Sequence, residues 1–319
     1  MPVKIVRVQD RRALRDFVEL PWFIYRQYSP RSNWVPPLEH SVTFILDPQQ
    51  HPFWRNAQRE LFLAYKHGAL AGRIAAIVDH NYNGLRDERM GSFGFFESVD
   101  DGDVADALFA AAAEWLKSRV VSFVRGPLSP SLNYEAGFLT EGFDIPPALM
   151  MPYNQPYYPT LAERVGFTKA KALLAFHKDA STGIPPRLLA LANRMQRRSD
   201  VLIRPVNFND LANDMLIVRD LYNASWSSNW GFAPMSPEEM HLMGRALKPI
   251  ARPELALLAF VRGLPAGVMI GVPDYNQVLM HLNGNLGIPQ RARALFLRRR
   301  ISSCRAILFG FKPQFRRTG

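Results

Sequence analysis

The residues best placed to do chemistry lie at the end of the chain, Phe309-Gly310-Phe311-Lys312-Pro313-Gln314-Phe315-Arg316-Arg317-Thr318-Gly319. The run Ala306-Ile307-Leu308-Phe309 reads as the end of a buried strand, and the basic, glycine-ended segment after it has the composition of a phosphate cradle. In such a cradle glycine lets main-chain N–H groups approach an anion closely, and arginine adds charge-assisted hydrogen bonds. Phe311, Lys312, Arg316, Arg317, Thr318 and Gly319 are therefore the candidate residues for holding a phosphate-bearing cofactor. The charge agrees: the chain carries a formal +11, and residues 291–319 supply +9 of it with no acid. The excess is one local patch suited to polyanions. Its arginines are not interleaved with aromatic residues that could stack on bases, which argues against a specific nucleic-acid partner. The same patch also reads as a solvated helix face.

A second group is aromatic and amide in character. Tyr222, Trp226, Asn229 and Trp230 crowd one short stretch, and Asn276 and Asn283 follow a later apolar run. These types could line a small-molecule acceptor site, or equally pack a core and cap turns. Glu238 and Glu239 follow Ser236-Pro237 as a helix start, so no residue is singled out as a catalytic base or acid.

Several classes are excluded. One cysteine, Cys304, permits no internal disulfide, and no Cys pair or His-Glu-x-x-His spacing supports a metal site. Gly126-Pro-Leu-Ser-Pro130 lacks the flanking glycines of a nucleophile elbow, and no Walker or Rossmann glycine pattern occurs. The charged N-terminus is not a signal peptide, and no apolar stretch approaches the roughly 20 residues of a membrane span. A cytoplasmic protein with no membrane span is expected.

The elements that must position these residues are duplicated. Residues 60–83, ELFLAYKHGALAGRIAAIVDHNYN, lie over residues 254–276, ELALLAFVRGLPAGVMIGVPDYN, each a hairpin turning at a basic residue and glycine. Each is preceded by a strand and a helix, Val3–Val8 with a helix from Asp10, and Val201–Val206 with a helix from Asn209 or Asp210. The first copy continues with a strand at Met90–Val99, a helix from Asp103 to Arg119, a strand at Val120–Val124, a loop at 126–156, a short helix Tyr158–Arg164 and a last strand at Ala170–His177. The expected domains are 1–180, a linker with an amphipathic helix at 181–199, and 200–319. Both are α/β.

This order of elements, with Tyr158-Pro-Thr-Leu-Ala-Glu-Arg-Val-Gly166-Phe167 and Gln314-Phe315-Arg316-Arg317-Thr318-Gly319, resembles the GNAT superfamily of acyl-CoA N-acyltransferases. The resemblance implies two tandem domains, each a mixed central sheet flanked by helices. It implies acetyl-CoA or a longer acyl-CoA as co-substrate, no metal, and transfer of the acyl group to a small-molecule amine. The pyrophosphate would sit on the loop after the fourth strand, and that strand's backbone would hold the pantetheine arm and polarise the thioester carbonyl. In the first copy this place holds Glu97, Asp100, Asp101 and Asp103, and Ala162 stands where the family usually has the tyrosine that acts as general acid, so the first domain is expected to be a degenerate, structural copy. The second copy stops inside its cofactor loop. The expectation is therefore negligible activity for the 319 residues alone, the alternative being an inactive fragment or binding module. A homodimer is one way such a chain could complete its site.

Overall fold

A computed structural model describes residues 2–29, 31–198 and 200–316. By contacts the chain divides into two units: residues up to Ala170 with Tyr275–Ile301, and Lys171–Asp274 with Ser302 onward.

The first unit begins β1 (Lys4–Arg7), α1 (Arg11–Tyr28), α2 (Glu39–Leu46), β2 (Ala57–Lys66), β3 (Ala69–Asp79) and α3 (His80–Arg86). It continues with β4 (Met90–Ser98), α4 (Gly102–Lys117), β5 (Phe123–Arg125), β6 (Leu128–Ser129), β7 (Glu135–Ala136) and α5 (Tyr158–Arg164). Among the described residues its main sheet has the order β1-β2-β3-β4-β5, antiparallel except for the parallel pair β4–β5. Strand periodicity assigns each face: Leu61, Leu63, Ala75 and Ile77 pack with Phe17 and Leu46, while Phe62, Ala64, Ile74 and Ala76 pack with Leu108, Phe109 and Tyr158. Both faces are covered, and each fully buried Leu, Ile or Phe contributes about 1.5–3 kcal/mol.

In the second unit come α6 (Pro186–Gln196), β8 (Val201–Pro205), α7 (Leu211–Trp226), α8 (Pro237–Leu247), β9 (Ala256–Val261) and β10 (Leu264–Pro273). The chain then supplies α9 (Asn276–Leu279) and α10 (Ile288–Leu297) to the first unit before β11 (Cys304–Phe311) completes the second. The second sheet, β11-β10-β9-β8, is antiparallel throughout and repeats the order and directions of β4-β3-β2-β1. The hairpin turns repeat in detail. His67 and Gly68 have φ of 51° and 77°, Arg262 and Gly263 of 51° and 78°. This is the left-handed pair of a turn whose twist matches its strands, and it explains glycine at the second position. Among the described residues one face of this sheet is packed, Leu258 and Val268 against Val218 and Leu221. On the other face Ile203, Met269 and Phe309 are 54%, 38% and 60% exposed.

Three expectations are corrected. Residues 170–178 form no strand, and Leu174 and Phe176 there are exposed. The fifth strand starts at Phe123, because Val120 takes a positive φ of 60° in the turn after α4. The run Ala306–Phe309 is not buried: Gly310 is the one buried residue of β11, which among the described residues has a strand neighbour, β10, on one side only.

Candidate functional site: an open edge and its closed counterpart

The fourth strand of the repeat, which the resemblance makes the cofactor strand, occurs twice. In the second unit it is β11, an edge strand among the described residues. The main-chain N–H of Lys312 donates to the Ala266 carbonyl at 2.9 Å, fixing the strand's end to β10. The carbonyls of Phe309 and Phe311 accept side-chain donors instead, Nε1 of Trp226 at 3.2 Å and Nε of Arg316 at 3.3 Å. Arg316 also donates through Nη2 to the Ser225 carbonyl at 2.7 Å, tying the segment after β11 to the last turn of α7. Helix and strand approach closely because residue 310 is glycine: a Cβ there would stand 2.8 Å from Cβ of Ser225. The Ser225 side chain is 5% exposed, and its hydroxyl has no hydrogen-bond partner. An exposed edge strand flanked by Lys312, Arg316 and an unsatisfied buried hydroxyl can accept an extended, polar, anionic ligand chain through main-chain hydrogen bonds.

In the first unit the equivalent strand, β4, is enclosed. It pairs with β5 only over Met90–Ser92, so the two strands part beyond Ser92. The gap is occupied by the chain itself: the Phe95 N–H donates to Oγ of Ser129 at 2.9 Å, and a Cβ on Gly94 would fall 1.8 Å from the Leu128 carbonyl oxygen. The helix behind the strand is capped internally. Asp101 accepts from the N–H groups of Asp103 and Val104 at 3.0 and 3.3 Å, and Lys66 binds Asp101 at 2.6 Å and Asp103 at 3.0 Å. The donors that could meet a phosphate are thus already bonded to a carboxylate.

Beside that strand lies a buried polar chain that sequence reasoning missed. Pro21 interrupts α1 and leaves the Phe17 carbonyl without its i+4 N–H donor. Arg73 of β3 meets that carbonyl with Nη1 at 2.5 Å. Its charge is balanced by its cross-strand partner Glu97, 3.7 Å away, which accepts at 2.6 Å from the Tyr158 hydroxyl. The Tyr158 oxygen in turn accepts the Ser98 N–H at 3.1 Å. Burial pushes the Glu97 carboxyl and the Tyr158 hydroxyl up, and Tyr158 is wholly inaccessible. The readable signal was a proline within a helical pattern together with an arginine in an otherwise apolar strand.

The predicted site residues fall as follows. Phe311, Lys312 and Arg316 are brought together at the end of β11; Arg317, Thr318 and Gly319, the rest of the expected cofactor loop, lie outside the described residues. Tyr222 and Trp226 pack with ring centroids 5.7 Å apart, and Tyr222 also meets Phe232. Burial raises the Tyr222 hydroxyl. Asn229 and Trp230 follow in the turns after α7, the Asn229 N–H donating to the Trp226 carbonyl at 2.8 Å. Asn276 and Asn283 belong to the first unit. Asn276 donates to the Pro147 carbonyl at 2.8 Å, and Asn283, with a φ of 49°, accepts from Nε1 of Trp22 through its own carbonyl. Among the described residues no group of three or more His, Cys, Asp or Glu could hold a metal ion, and no helix is long and apolar enough to cross a membrane.

The repeated strand–helix–hairpin–strand order and the parallel fifth strand of the first unit are the arrangement that the resemblance to the GNAT superfamily implies. No family model matches the sequence. Protein YghO of Escherichia coli is 33% identical over 283 residues, covering 87% of this chain and 70% of that protein. A bacterial ceramide synthase of Caulobacter vibrioides is 31% identical over 320 residues, covering 98% of this chain and 81% of the relative. The chain belongs to the family these two proteins share. Among solved structures, a tandem GNAT protein from the clavulanic acid biosynthesis pathway matches 85% of this chain and 74% of its own at 11% identity, with a TM-score of 0.45. Nothing in these relationships supports the expectation of an inactive chain.

Proposed function

We propose that this protein is an acyl-CoA-dependent N-acyltransferase that acylates the amine of a long-chain amino alcohol, forming an amide lipid of the ceramide type. The observation that carries this reading is the relationship to the Caulobacter ceramide synthase over nearly the whole chain. The open edge of β11 supports it. On this reading the second unit is the catalytic one, the first is its structural copy, and both work in the cytoplasm. Coenzyme A supplies the activated thioester. Lys312, Arg316 and, beyond the described residues, Arg317, Thr318 and Gly319 hold its phosphates, and the β11 backbone aligns its arm. The neutral amine attacks the thioester carbonyl, the C–N bond forms, the C–S bond breaks, and the amine's proton leaves to solvent as the thiolate departs and is protonated. Tyr222 and Trp226 offer apolar surface to the acceptor chain.

The test incubates the purified chain with acetyl-CoA or long-chain acyl-CoAs and with sphinganine or short amines, following thiol release and amide formation by mass spectrometry. Amide formed from sphinganine and a long-chain acyl-CoA, with KM for the acyl-CoA raised by Arg316→Ala, is the expected result. Turnover of short amines alone would refute the lipid acceptor, and no turnover with any pair would refute the reaction.

A further inference from the structure

Helix α10 carries its apolar side chains on the wrong face for a core. At 3.6 residues per turn, Gln290, Ala294 and Leu297 share the side turned to the protein, and they are its half-buried positions. Ile288, Ala292, Leu295 and Phe296 lie on the far side, with Ile288, Leu295 and Phe296 respectively 86%, 55% and 59% exposed. Arginines flank this outward stripe. Arg291 falls along one border and Arg293 along the other, and Arg298, Arg299 and Arg300, all exposed, follow directly in the 3-10 turn that ends the helix. The Arg300 guanidinium lies 4.8 Å from the Phe296 ring centre, and Nε of Arg291 is held by the Leu286 carbonyl at 2.9 Å. The whole excursion from Tyr275 to Ile301 contains five arginines and no Asp or Glu.

A solvated helix face would be polar at its centre. A nucleic-acid-binding face would be basic at its centre, and an apolar stripe there would lose contact with water without finding a partner. An outward apolar stripe bordered by cations matches one environment, the boundary between anionic headgroups and acyl chains, where the stripe enters the hydrocarbon and the guanidinium groups meet lipid phosphates. We infer that α10 docks the protein peripherally on an anionic lipid bilayer, lying in the plane of the interface. This rests on the helix alone and holds whether or not the chain transfers acyl groups.

The test is flotation of the full chain with vesicles of phosphatidylcholine alone, or of phosphatidylcholine and phosphatidylglycerol in equal parts. The expected result is binding to the anionic vesicles at low salt and little to the neutral ones. Each arginine near the surface is worth about fivefold in partition, so Arg298→Gln/Arg299→Gln/Arg300→Gln should lower it by about a hundredfold. Leu295→Asp/Phe296→Asp should abolish it as well, whereas Leu264→Asp, which alters a 62%-exposed leucine of the second unit, should not change it. Both α10 variants change exposed positions, and unchanged circular-dichroism melting confirms folding. No binding to anionic vesicles, or binding that Leu295→Asp/Phe296→Asp leaves intact, overturns the inference. Binding to a DNA duplex in place of vesicles, unaffected by that variant, would assign the arginines to nucleic acid instead.

Discussion

The two sheets share one ladder position at which they differ completely. Aligned on Gly72 and Gly267, the pair Arg73–Glu97 of the first sheet corresponds to Val268–Gly310 of the second. In the first, two charges are buried, tied to a helix carbonyl and closed over by Tyr158. In the second, a valine faces a glycine, and a serine hydroxyl stands unsatisfied above the gap. Among the described residues this position is closed over in one copy and open in the other. Among the described residues the first sheet is packed on both faces and its fourth strand has a neighbour on each side, β5 over Met90–Ser92 only, while the second sheet is packed on one face and its fourth strand pairs with β10 alone.

The comparison breaks most readily at Arg73. Arg73→Met leaves the Glu97 carboxyl buried without a cation and the Phe17 carbonyl without a donor, and removing one partner of a buried pair costs about 3–5 kcal/mol. Hydrogen exchange should report the loss in β3, β4 and α1. Arg73→Met/Glu97→Leu should recover much of it, because a well-packed apolar pair avoids the desolvation cost. A single variant as stable as the parent would show that the pair holds nothing together.

The closed unit also buries a titratable ring. His51 is 4% exposed, its Nδ1 accepts the Phe53 N–H, and burial holds its pKa down to about 4 against an ordinary 6.5. A depressed folded value means that the unfolded chain binds the proton first. Stability is therefore constant above about 6.5 and falls as pH drops toward about 4, by at most about 3 kcal/mol. Urea titrations of the parent and of His51→Phe across this window should differ in slope, with His51→Phe losing this component.

How much of this was legible depended on whether the cause was local. The hairpins could be read because their turns need glycine at a left-handed position and their strands alternate. The helix Tyr158–Arg164 could be read because Pro159 starts it and Gly166 ends it. The closed site could not, since it depends on Pro21 freeing a carbonyl that an arginine far along the chain then meets. Nor could the exposure of β11: Ala306–Phe309 has the composition of a buried strand, and only the absence of a neighbouring strand among the described residues makes it an edge. Of Asn209 and Asp210, it is Asp210 that precedes α7, and its side chain does not cap the helix. The nearby carboxylate of Asp214 instead accepts the Asn207 N–H and is gripped by both Nη atoms of Arg204, at 2.6 and 2.7 Å.

The open copy is tested at its glycine. Gly310→Ala brings a Cβ to 2.8 Å from Cβ of Ser225 and must push α7 away from β11, a strain of about 1–3 kcal/mol. If the edge is the cofactor strand, the same shift misaligns the ligand chain, so KM for acyl-CoA should rise together with the loss of stability. A stability loss with unchanged kinetics would confine Gly310 to packing.

The smallest expected effect separates the edge from the packing beneath it. Trp226→Phe keeps most of the apolar contact with Tyr222 but removes the Nε1 donor to the Phe309 carbonyl, a hydrogen bond worth about 0.5–1.5 kcal/mol net. Its loss should raise hydrogen exchange at the end of β11 and leave β4, a strand of the other unit, unchanged. The carbonyl it frees lies on the edge that would hold an acyl-CoA arm. Bound acyl-CoA supplies new main-chain partners there, so the ligand should restore exchange protection at β11 in Trp226→Phe. Protection lost from β4 as readily as from β11, or left unrestored by acyl-CoA while the parent strand is protected, would mean that the open edge is not where the ligand lies.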